Sequence, residues 1–405
     1  MNTGLASRKR FVLVLGSLTG VAALSIDMSL PGIPDMVQAL GATLSSGQQI
    51  VGVFMAGLAL GQIPAGLLSD RFGRMPILYT GMGLFTIAGI ACSASTSIEL
   101  MLIGRFLQGM AASSGVVVSR AIVRDIASGA QAARLMSVMV MIFTAAPMLA
   151  PILGSYLTAG FGWRMPFVAI AVFGGLMLFG ITAALRETHI PERKRNIGRQ
   201  LIDSAREFVG HRQCILGLLL VMLPTAGFLS LISGSSALII EVYGFPVRSF
   251  GFIFAGAGFS ILIASSINRR LLLHFSLMNI IGLGATLLLV SSLQLLVIAW
   301  LNAASFWWLW GNVCLYFFAS GFILANATAL ALDPVPKIAG VASSLMGAAQ
   351  NIGSATTAII ASVIYDGSVR NVVLIIAVLG VASAVLFAAR SFVLGSKPIF
   401  SSDED

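Results

Sequence analysis

Residues 66–74 read GLLSDRFGR, a short polar stretch between two long apolar stretches near 47–68 and 75–94. Each apolar stretch is long enough to cross a bilayer, which takes roughly 20 residues. Because the polar connection is so short, both segments must return to the same membrane face. The pattern predicts a membrane hairpin whose tight, charged turn contains Gly66, Asp70, Arg71, Gly73 and Arg74.

The composition of the chain excludes a soluble protein. It is 58% hydrophobic and 10% charged, whereas a soluble domain carries roughly 25% charged residues. The apolar runs are too long for barrel strands and lack their alternation. We therefore predict an all-α membrane protein with twelve transmembrane helices, near 11–31, 47–68, 75–94, 98–120, 134–157, 163–185, 213–240, 248–267, 276–298, 304–331, 338–364 and 369–390.

The longest polar segment divides these spans into two sets of six. We expect an N-terminal six-helix bundle at 1–185, a cytoplasmic linker at 186–212 and a C-terminal six-helix bundle at 213–405. Apolar residues recur with helical spacing over 198–211, which predicts an amphipathic helix on the membrane surface. The basic residues of the linker could instead bind a partner. The halves look like diverged repeats, since Asn268, Arg269 and Arg270 occupy the helix 8–9 loop that corresponds to the loop containing Asp70.

Charge predicts the orientation. Twenty of the 24 lysines and arginines fall on one side of the predicted spans, and Arg105 lies inside span 4. The positive-inside rule places that side, and both termini, in the cytoplasm. The net charge of +9 is then a topology signal that attracts anionic lipid rather than nucleic acid. The opposite side has three basic residues, Arg164, Arg248 and Arg370.

The N-terminal span also resembles a secretory signal peptide, because basic residues precede its apolar run. Asp27, Pro31 and Pro34 interrupt that run, and no small-residue cleavage site follows, so we expect the span to be retained. The cysteines, Cys92 among them, have no spacing typical of a metal site or a disulfide framework. We expect neither a metal nor another cofactor.

Asp27 is the residue whose burial is most expensive, since it lies about sixteen residues into the first span. A carboxylate at that depth needs a cavity, a partner or a proton. Arg105 lies at a comparable depth in span 4. Burial favours the protonated carboxyl and a nearby guanidinium favours the ionised one, so Asp27 balanced between them is suited to proton coupling. A static Asp27–Arg105 pair, or no contact between the two, are the alternatives.

Other polar residues within the spans either line a cavity or form hydrogen bonds between helices. Gln108 lies one turn from Arg105, and we expect it in the substrate cavity. For the remainder the hydrogen-bonding interpretation is favoured: Gln62, Asn312, Asn326, Gln350 and Asn351.

Six strings carry a family resemblance: GLLSDRFGR at 66–74, IDMSLPGIPDM at 26–36, GRFLQG at 104–109, RAIVRD at 120–125, TAAPMLAPILG at 144–154, and ANATALALDPVPKIAGVASSLMGAAQ at 325–350. The first matches the GxxxDRxGR pattern between helices 2 and 3 of the major facilitator superfamily. In this order the set resembles the Bcr/CflA branch of that superfamily, the drug:proton antiporters of the bicyclomycin and chloramphenicol resistance type. The resemblance covers essentially the whole chain.

The resemblance implies two six-helix repeats with a site between them at mid-membrane. It also implies a bacterial inner-membrane location, a monomer, and a small-molecule substrate exchanged for protons. The chain departs from the branch at Ser29, which stands where a tyrosine of the substrate cavity precedes Leu-Pro, and at Met75, which replaces a basic residue. Ala146-Pro147 and Ala150-Pro151 stand where the antiporter signature has Gly-Pro.

Two segments are candidates for conformational roles. Pro147 and Pro151 each delete a backbone donor in helix 5, and Gly154 permits close helix packing, so this helix is a candidate hinge. Simple kinked packing is the alternative. The turn of Gly66, Asp70, Arg71, Gly73 and Arg74 is a candidate conformational latch, in which Asp70 caps the start of helix 11 near 337–341. Alternatively, Asp70 only pairs with Arg71 and Arg74 in its own turn.

The sequence predicts a proton-coupled antiporter that exports small, largely apolar drug-like compounds by alternating access. No GxxxxGK[ST] loop for ATP is present in the sequence. An importer or metabolite exporter on the same fold is the first alternative, although few intramembrane groups suit a sugar site. A membrane-embedded enzyme is the second alternative, but the sequence has no arrangement of catalytic residues at one membrane depth.

Overall fold

The computed structural model describes residues 9–127, 129–189, 197–301 and 304–394. Within these ranges the chain is helical and contains no β-strand, which confirms the predicted fold class. Residues 190–196 of the predicted linker and both termini, including Arg8, lie outside the described residues.

The N-terminal half contributes seven helices. They are α1 (Lys9–Ser29), α2 (Ile33–Ala39), α3 (Leu44–Phe72), α4 (Arg74–Ser93), α5 (Ile98–Ile126), α6 (Gly129–Phe161) and α7 (Met165–Ala184). A 3₁₀ turn, Leu30–Gly32, separates α1 from α2 where Pro31 removes a backbone donor. The predicted first span is therefore broken near its end.

A linker helix, α8 (Ile197–Gly210), leads into the C-terminal half. There the chain forms α9 (Arg212–Ser236), a π-helical segment (Ala237–Val242), α10 (Val247–Leu271), α11 (Leu277–Leu301), α12 (Phe306–Leu332), α13 (Ala339–Val363), α14 (Val369–Ala388) and the short α15 (Arg390–Leu394). The side of α8 with Ser204 and Phe208 is buried, and the helix packs on α9 and α13.

Each half packs mainly on itself, and the halves meet along two helix pairs. Helices α3 and α13 form one pair, and α6 and α10 form the other. The 3₁₀ turn after α1 also contacts α9 and α10. This grouping agrees with the predicted division at 186–212, which stays a prediction.

Ten helices of the described chain are long and apolar enough to span a membrane. Two of the twelve predicted spans are not among them. In α6 the shorter stretch Ala145–Phe161 is apolar. In α13, which packs against α3 and α9, small and polar residues lower the hydropathy.

The helix ends define two membrane faces. The face at which α3, α5, α7, α10, α12 and α14 end is called the basic face here, since Arg71, Arg124, Arg269 and Arg270 lie there. On the opposite face, Trp300 and Trp307 are 82% and 70% exposed near the α11–α12 connection. Exposed tryptophans at this level are typical of a membrane–water interface.

Two predicted loops are shorter in the structure. Helix α3 continues through Phe72 and α4 begins at Arg74, so Gly73 alone makes the turn and Asp70 is helical. Asn268, Arg269 and Arg270 likewise lie inside α10 rather than in the loop after it. The predictions that these residues lie in loops were wrong. In both places the helix continues beyond its apolar segment and includes the charged residues.

Candidate functional site

Asp27 lies near the end of α1, three residues before the 3₁₀ turn begins at Leu30. It is 4% exposed and follows the half-buried Ala23 and Leu24 by one helical turn, so the three share one side of α1. Among the described residues, its carboxyl group has no hydrogen bond and no ion pair within 4.0 Å. Within the described part of the chain, Asp27 is thus an acidic group in the protein interior without a polar partner.

Arg105 is completely buried in α5. Its Nη1 donates to the side-chain oxygen of Gln108 at 2.8 Å, and to the hydroxyl and carbonyl oxygens of Ser25 at 3.0 and 3.3 Å. The guanidinium lies 4.4 Å from the ring centroid of Phe54 on α3 and 5.8 Å from that of Phe167 on α7. Four helices of the N-terminal half therefore meet around one cation.

The structure does not join Arg105 to Asp27 in an ion pair. Arg105 contacts α1 at Ser25, and residues two apart on an α-helix point in roughly opposite directions. The Nε and Nη2 atoms of Arg105 have no hydrogen-bond partner in the described part of the chain. An acidic and a basic side chain thus lie in the interior of one bundle without forming an ion pair.

The two residues predicted for the substrate cavity are also buried. Gln108 accepts from Arg105 and, at 3.4 Å, from the hydroxyl of Ser25. The hydroxyl of Ser29 donates to the carbonyl oxygen of Ile26 at 2.8 Å. As cavity residues, Gln108 and Ser29 stay predictions.

The proline-containing part of α6 touches both halves through glycines. A β-carbon added to Gly251 of α10 would lie 2.6 Å from the carbonyl oxygen of Pro151. The Pro147 carbonyl, which loses its usual donor because residue 151 is proline, lies beside Gly258. On the other side, Gly154 packs against the carbonyl oxygen of Met28 in α1. Backbone meets backbone on both sides of the predicted hinge.

A polar cluster occupies the basic face around Arg74, which is 5% exposed. Its Nη1 donates to Asp70 and, at 2.9 Å, to the hydroxyl of Ser69. Its Nε and Nη2 donate to the carboxylate of Asp125, at the end of α5, at 2.9 and 3.2 Å. The ends of α3, α4 and α5 are therefore joined by one guanidinium.

Glu187, which follows α7, caps α4 from outside that helix. Its carboxylate accepts from the backbone N–H groups of Arg74 and Met75 at 2.9 and 3.0 Å, and from those of Thr188 and His189 at 3.1 Å each. Partial burial acts to raise the pKa of Glu187, but these four N–H groups outweigh it and hold the pKa below its ordinary 4.5. The carboxylate satisfies donors that a helix start leaves unpaired.

Gly73 makes this cap possible. Its φ is +99° and its ψ is 163°, a combination that is essentially restricted to glycine. A β-carbon at this position would also lie 2.7 Å from Oε2 of Glu187. Glycine is required here by backbone conformation and by space together.

The other predicted latch residues lie nearby. Arg71 is exposed and stacks at 5.3 Å on the ring of Phe72, and Gly66 faces Val117 of α5. Asp70 makes no hydrogen bond to α13 in the described part of the chain, and α13 instead begins beside Arg124, whose Nη1 lies 2.5 Å from the β-carbon position of Gly340. The Lys337 side chain lies outside the described residues.

The C-terminal half has a neutral counterpart to the Arg74 cluster. The side-chain nitrogen of Asn326 on α12 donates to the side-chain oxygen of Asn268 on α10 at 2.8 Å. Both residues are buried. Charged side chains join α3 to α5 in the N-terminal half through Arg74, and two amides join α10 to α12 in the C-terminal half.

Several of these residues were not assigned a role from the sequence. Asp125 and Glu187 have partners that are 51 and 113 residues away along the chain. Ser25 and Phe54 carry no chemical signal beyond an ordinary membrane helix. The sequence indicates only that one acidic residue stands near the end of α5 and another follows α7, on the face where the arginines cluster.

Comparisons with known proteins agree with this architecture. The chain is 28% identical over 358 residues to a bicyclomycin resistance protein homolog of Haemophilus influenzae, covering 88% of this chain and 90% of that protein. It is 26% identical over 351 residues to multidrug resistance protein D of Escherichia coli K12, covering 86% and 87%. The predicted resemblance to the bicyclomycin-resistance branch is confirmed by these relatives.

Solved structures share the fold at lower identity. A bacterial homolog of the human lysosomal transporter Spinster superposes with a TM-score of 0.75 at 15% identity, covering 95% of this chain and 98% of that one. A D-xylose–proton symporter gives 0.74 at 15% identity, covering 93% and 96%. The sequence model of the Major Facilitator Superfamily matches residues 15–356, and the chain, a multi-pass membrane protein, belongs to that superfamily.

Proposed function

We propose that this protein is a proton-coupled antiporter that exports small, largely apolar drug-like compounds across a bacterial inner membrane. The observation that carries the coupling is Asp27, a buried carboxyl group with no polar partner among the described residues. Ionising such a group inside a membrane is expensive. It therefore takes a proton in one conformation and loses it in another that provides water, substrate or charge.

Export of drugs is supported by the relatives, which are named for resistance to bicyclomycin and to multiple drugs. A transporter, rather than an enzyme, agrees with the family and with its structural neighbours. One charge moving through 100 mV supplies about 2.3 kcal/mol. That energy supports a concentration ratio of several tens for each proton exchanged.

Arg105 acts on Asp27 across the width of α1 in this proposal. A buried cation with no carboxylate in contact stabilises negative charge elsewhere in the same low-dielectric bundle. A rotation of α1 by part of a turn would change the separation of the two charges. The break at Leu30–Gly32 provides a place where α1 can turn independently of α2.

Alternating access requires the two halves to move against each other, and we propose that α6 is the hinge. Its carbonyl oxygens at 147 and 151 lie against glycines of α10. Glycine surfaces let two backbones pivot without side chains interlocking. For Asp70, the ion pair with Arg74 favours the local interpretation, and its latch to α13 stays a prediction.

The basic face is cytoplasmic in this proposal, because the positive-inside rule applies to its arginines. Thiol labelling tests that orientation in a background without the native cysteines. Single cysteines at Gly41, Gly160 and Gly244, where the surroundings are open, should react with an impermeant reagent from outside. A cysteine at Gly210, equally open, should not, and reversed labelling would contradict the orientation.

Asp27→Asn tests the coupling. The variant mimics the protonated carboxyl permanently, so it should bind substrate but lose accumulation driven by a proton gradient. Asp35→Asn is the matched control, because Asp35 is an exposed carboxylate in α2. The measurements are drug efflux from energised cells and proton release from purified protein when substrate is added.

Full efflux and unchanged proton release by Asp27→Asn would remove Asp27 as the coupling residue. Arg105→Ala should also impair coupling, with Arg105→Lys partly tolerated because lysine is a point charge on a flexible stem. Increased drug sensitivity of expressing cells would instead support the alternative, an importer on the same fold.

A further inference from the structure

A shallow open groove of about 300 Å³ runs along one exposed face of α10. Its lining, which α10 alone provides, is apolar at one end and basic at the other, and nothing in the proposed transport cycle uses it. The lining residues are Phe259, Leu262, Ile263, Ser266, Ile267 and Arg270.

The groove has the length of one lipid leaflet. From residue 259 to residue 270 an α-helix rises about 16 Å, and half of the hydrocarbon core of a bilayer is about 15 Å thick. Phe259 is 53% exposed at the inner end of the groove, and Ile263 is 41% exposed one turn further. The apolar part therefore lies where acyl chains are, and its basic end reaches the basic face.

The basic end offers charges without partners. Arg269 and Arg270 are both exposed, and neither side chain has a hydrogen bond or an ion pair among the residues that the structure describes. The C-terminal end of α10 carries roughly half a negative charge, which two full positive charges outweigh. A planar guanidinium is suited to binding a phosphate through two hydrogen bonds.

We propose that this groove binds an anionic phospholipid from the leaflet at the basic face. The acyl chain would lie along Phe259, Ile263 and Ile267, and the phosphate would be held by Arg270 with Arg269 beside it. A zwitterionic lipid would bind more weakly, because its own cation competes for the phosphate. The proposal does not depend on the direction or coupling of transport.

The test is native mass spectrometry of the purified full-length protein, titrated with phosphatidylglycerol and with phosphatidylcholine. Phosphatidylglycerol should bind more tightly, and Arg270→Ala should weaken it about ten-fold, the usual effect of losing a charge-assisted hydrogen bond. Arg248→Ala is the matched control, since Arg248 is exposed at the other end of the same helix. It should leave the affinity unchanged.

A second pair of variants tests the apolar walls. Ile263→Trp fills the groove and should weaken phosphatidylglycerol binding with both arginines intact. Phe252→Trp, at an exposed position of α10 outside the groove, should have no effect. Equal affinity for the two lipids, or equal loss in Arg270→Ala and Arg248→Ala, would overturn the proposal. So would displacement of the lipid by millimolar inorganic phosphate, which would indicate a simple ion site, or by chloramphenicol, which would indicate a drug site.

Discussion

Replacing Gly73 with alanine should loosen the start of α4 strongly. The backbone conformation at Gly73 costs a residue with a β-carbon roughly 1–3 kcal/mol. The β-carbon would also displace the Glu187 carboxylate from 2.7 Å, and losing a helix cap costs about 1 kcal/mol. The sum is about 2–4 kcal/mol, which corresponds to local opening that is at least about 30-fold more frequent.

Hydrogen–deuterium exchange of the first turn of α4 measures this opening directly. The backbone N–H groups of Arg74 and Met75 are the two that Glu187 protects in that helix. Exchange there should accelerate by the predicted factor in Gly73→Ala. Glu187→Gln, which keeps the size but loses the charge, should accelerate it only several-fold.

Gly83→Ala is the matched control. Gly83 lies in the same helix, and a β-carbon there would meet nothing within 4 Å. Alanine in a helix interior is favoured over glycine by up to about 1 kcal/mol, so exchange should stay the same or slow. If Gly73→Ala exchanged within two-fold of the unmodified protein, the reasoning about the turn and the cap would be refuted.

Three further outcomes are expected. Gly154→Leu should force α1 away from α6 at Met28 and reduce the monodisperse fraction in size-exclusion chromatography, whereas Gly160→Leu, in open space on the same helix, should not. Asn326→Ala should destabilise the protein by roughly 0.6–1.7 kcal/mol, the range for a hydrogen bond inside a membrane protein, and an unchanged unfolding temperature in detergent would contradict it. The folded pKa of Glu187 lies below its ordinary 4.5, so the contribution of its carboxylate to stability is present at pH 7 and is lost as the pH falls through the folded value. The stability difference between the unmodified protein and Glu187→Gln should therefore shrink below about pH 4.5. A constant difference would count against the cap.

The membrane helices could be predicted from the sequence because hydropathy depends on composition alone. Their ends could not, since α3 continues through charged residues as far as Phe72 and stops where Gly73 adopts a positive φ. The comparable depth of Asp27 and Arg105 could also be predicted. The side of α1 that faces Arg105 could not, because Arg105 donates to Ser25, and side chains two residues apart on a helix point in roughly opposite directions.

The polar cluster of the basic face shows a second limit. The sequence places Arg74 in a charged turn, and its pairing with Asp70, four residues away, is predictable from that spacing. Its bonds to Asp125, and the cap from Glu187, join segments that only the packed helices bring together. Neither acid stands in a spacing that identifies a partner, so three-dimensional packing decided both contacts.

The ion cluster around Arg74 and the amide pair of Asn268 and Asn326 differ in the range over which they act. Coulomb attraction falls slowly with distance and is screened by dissolved salt, with a Debye length of about 8 Å at physiological ionic strength. An amide hydrogen bond ends within a few tenths of an ångström of its normal length and is indifferent to salt. The ends of α3, α4 and α5 are therefore drawn back together after a small separation, and this attraction depends on ionic strength. The hydrogen bond between α10 and α12 is instead either formed or broken.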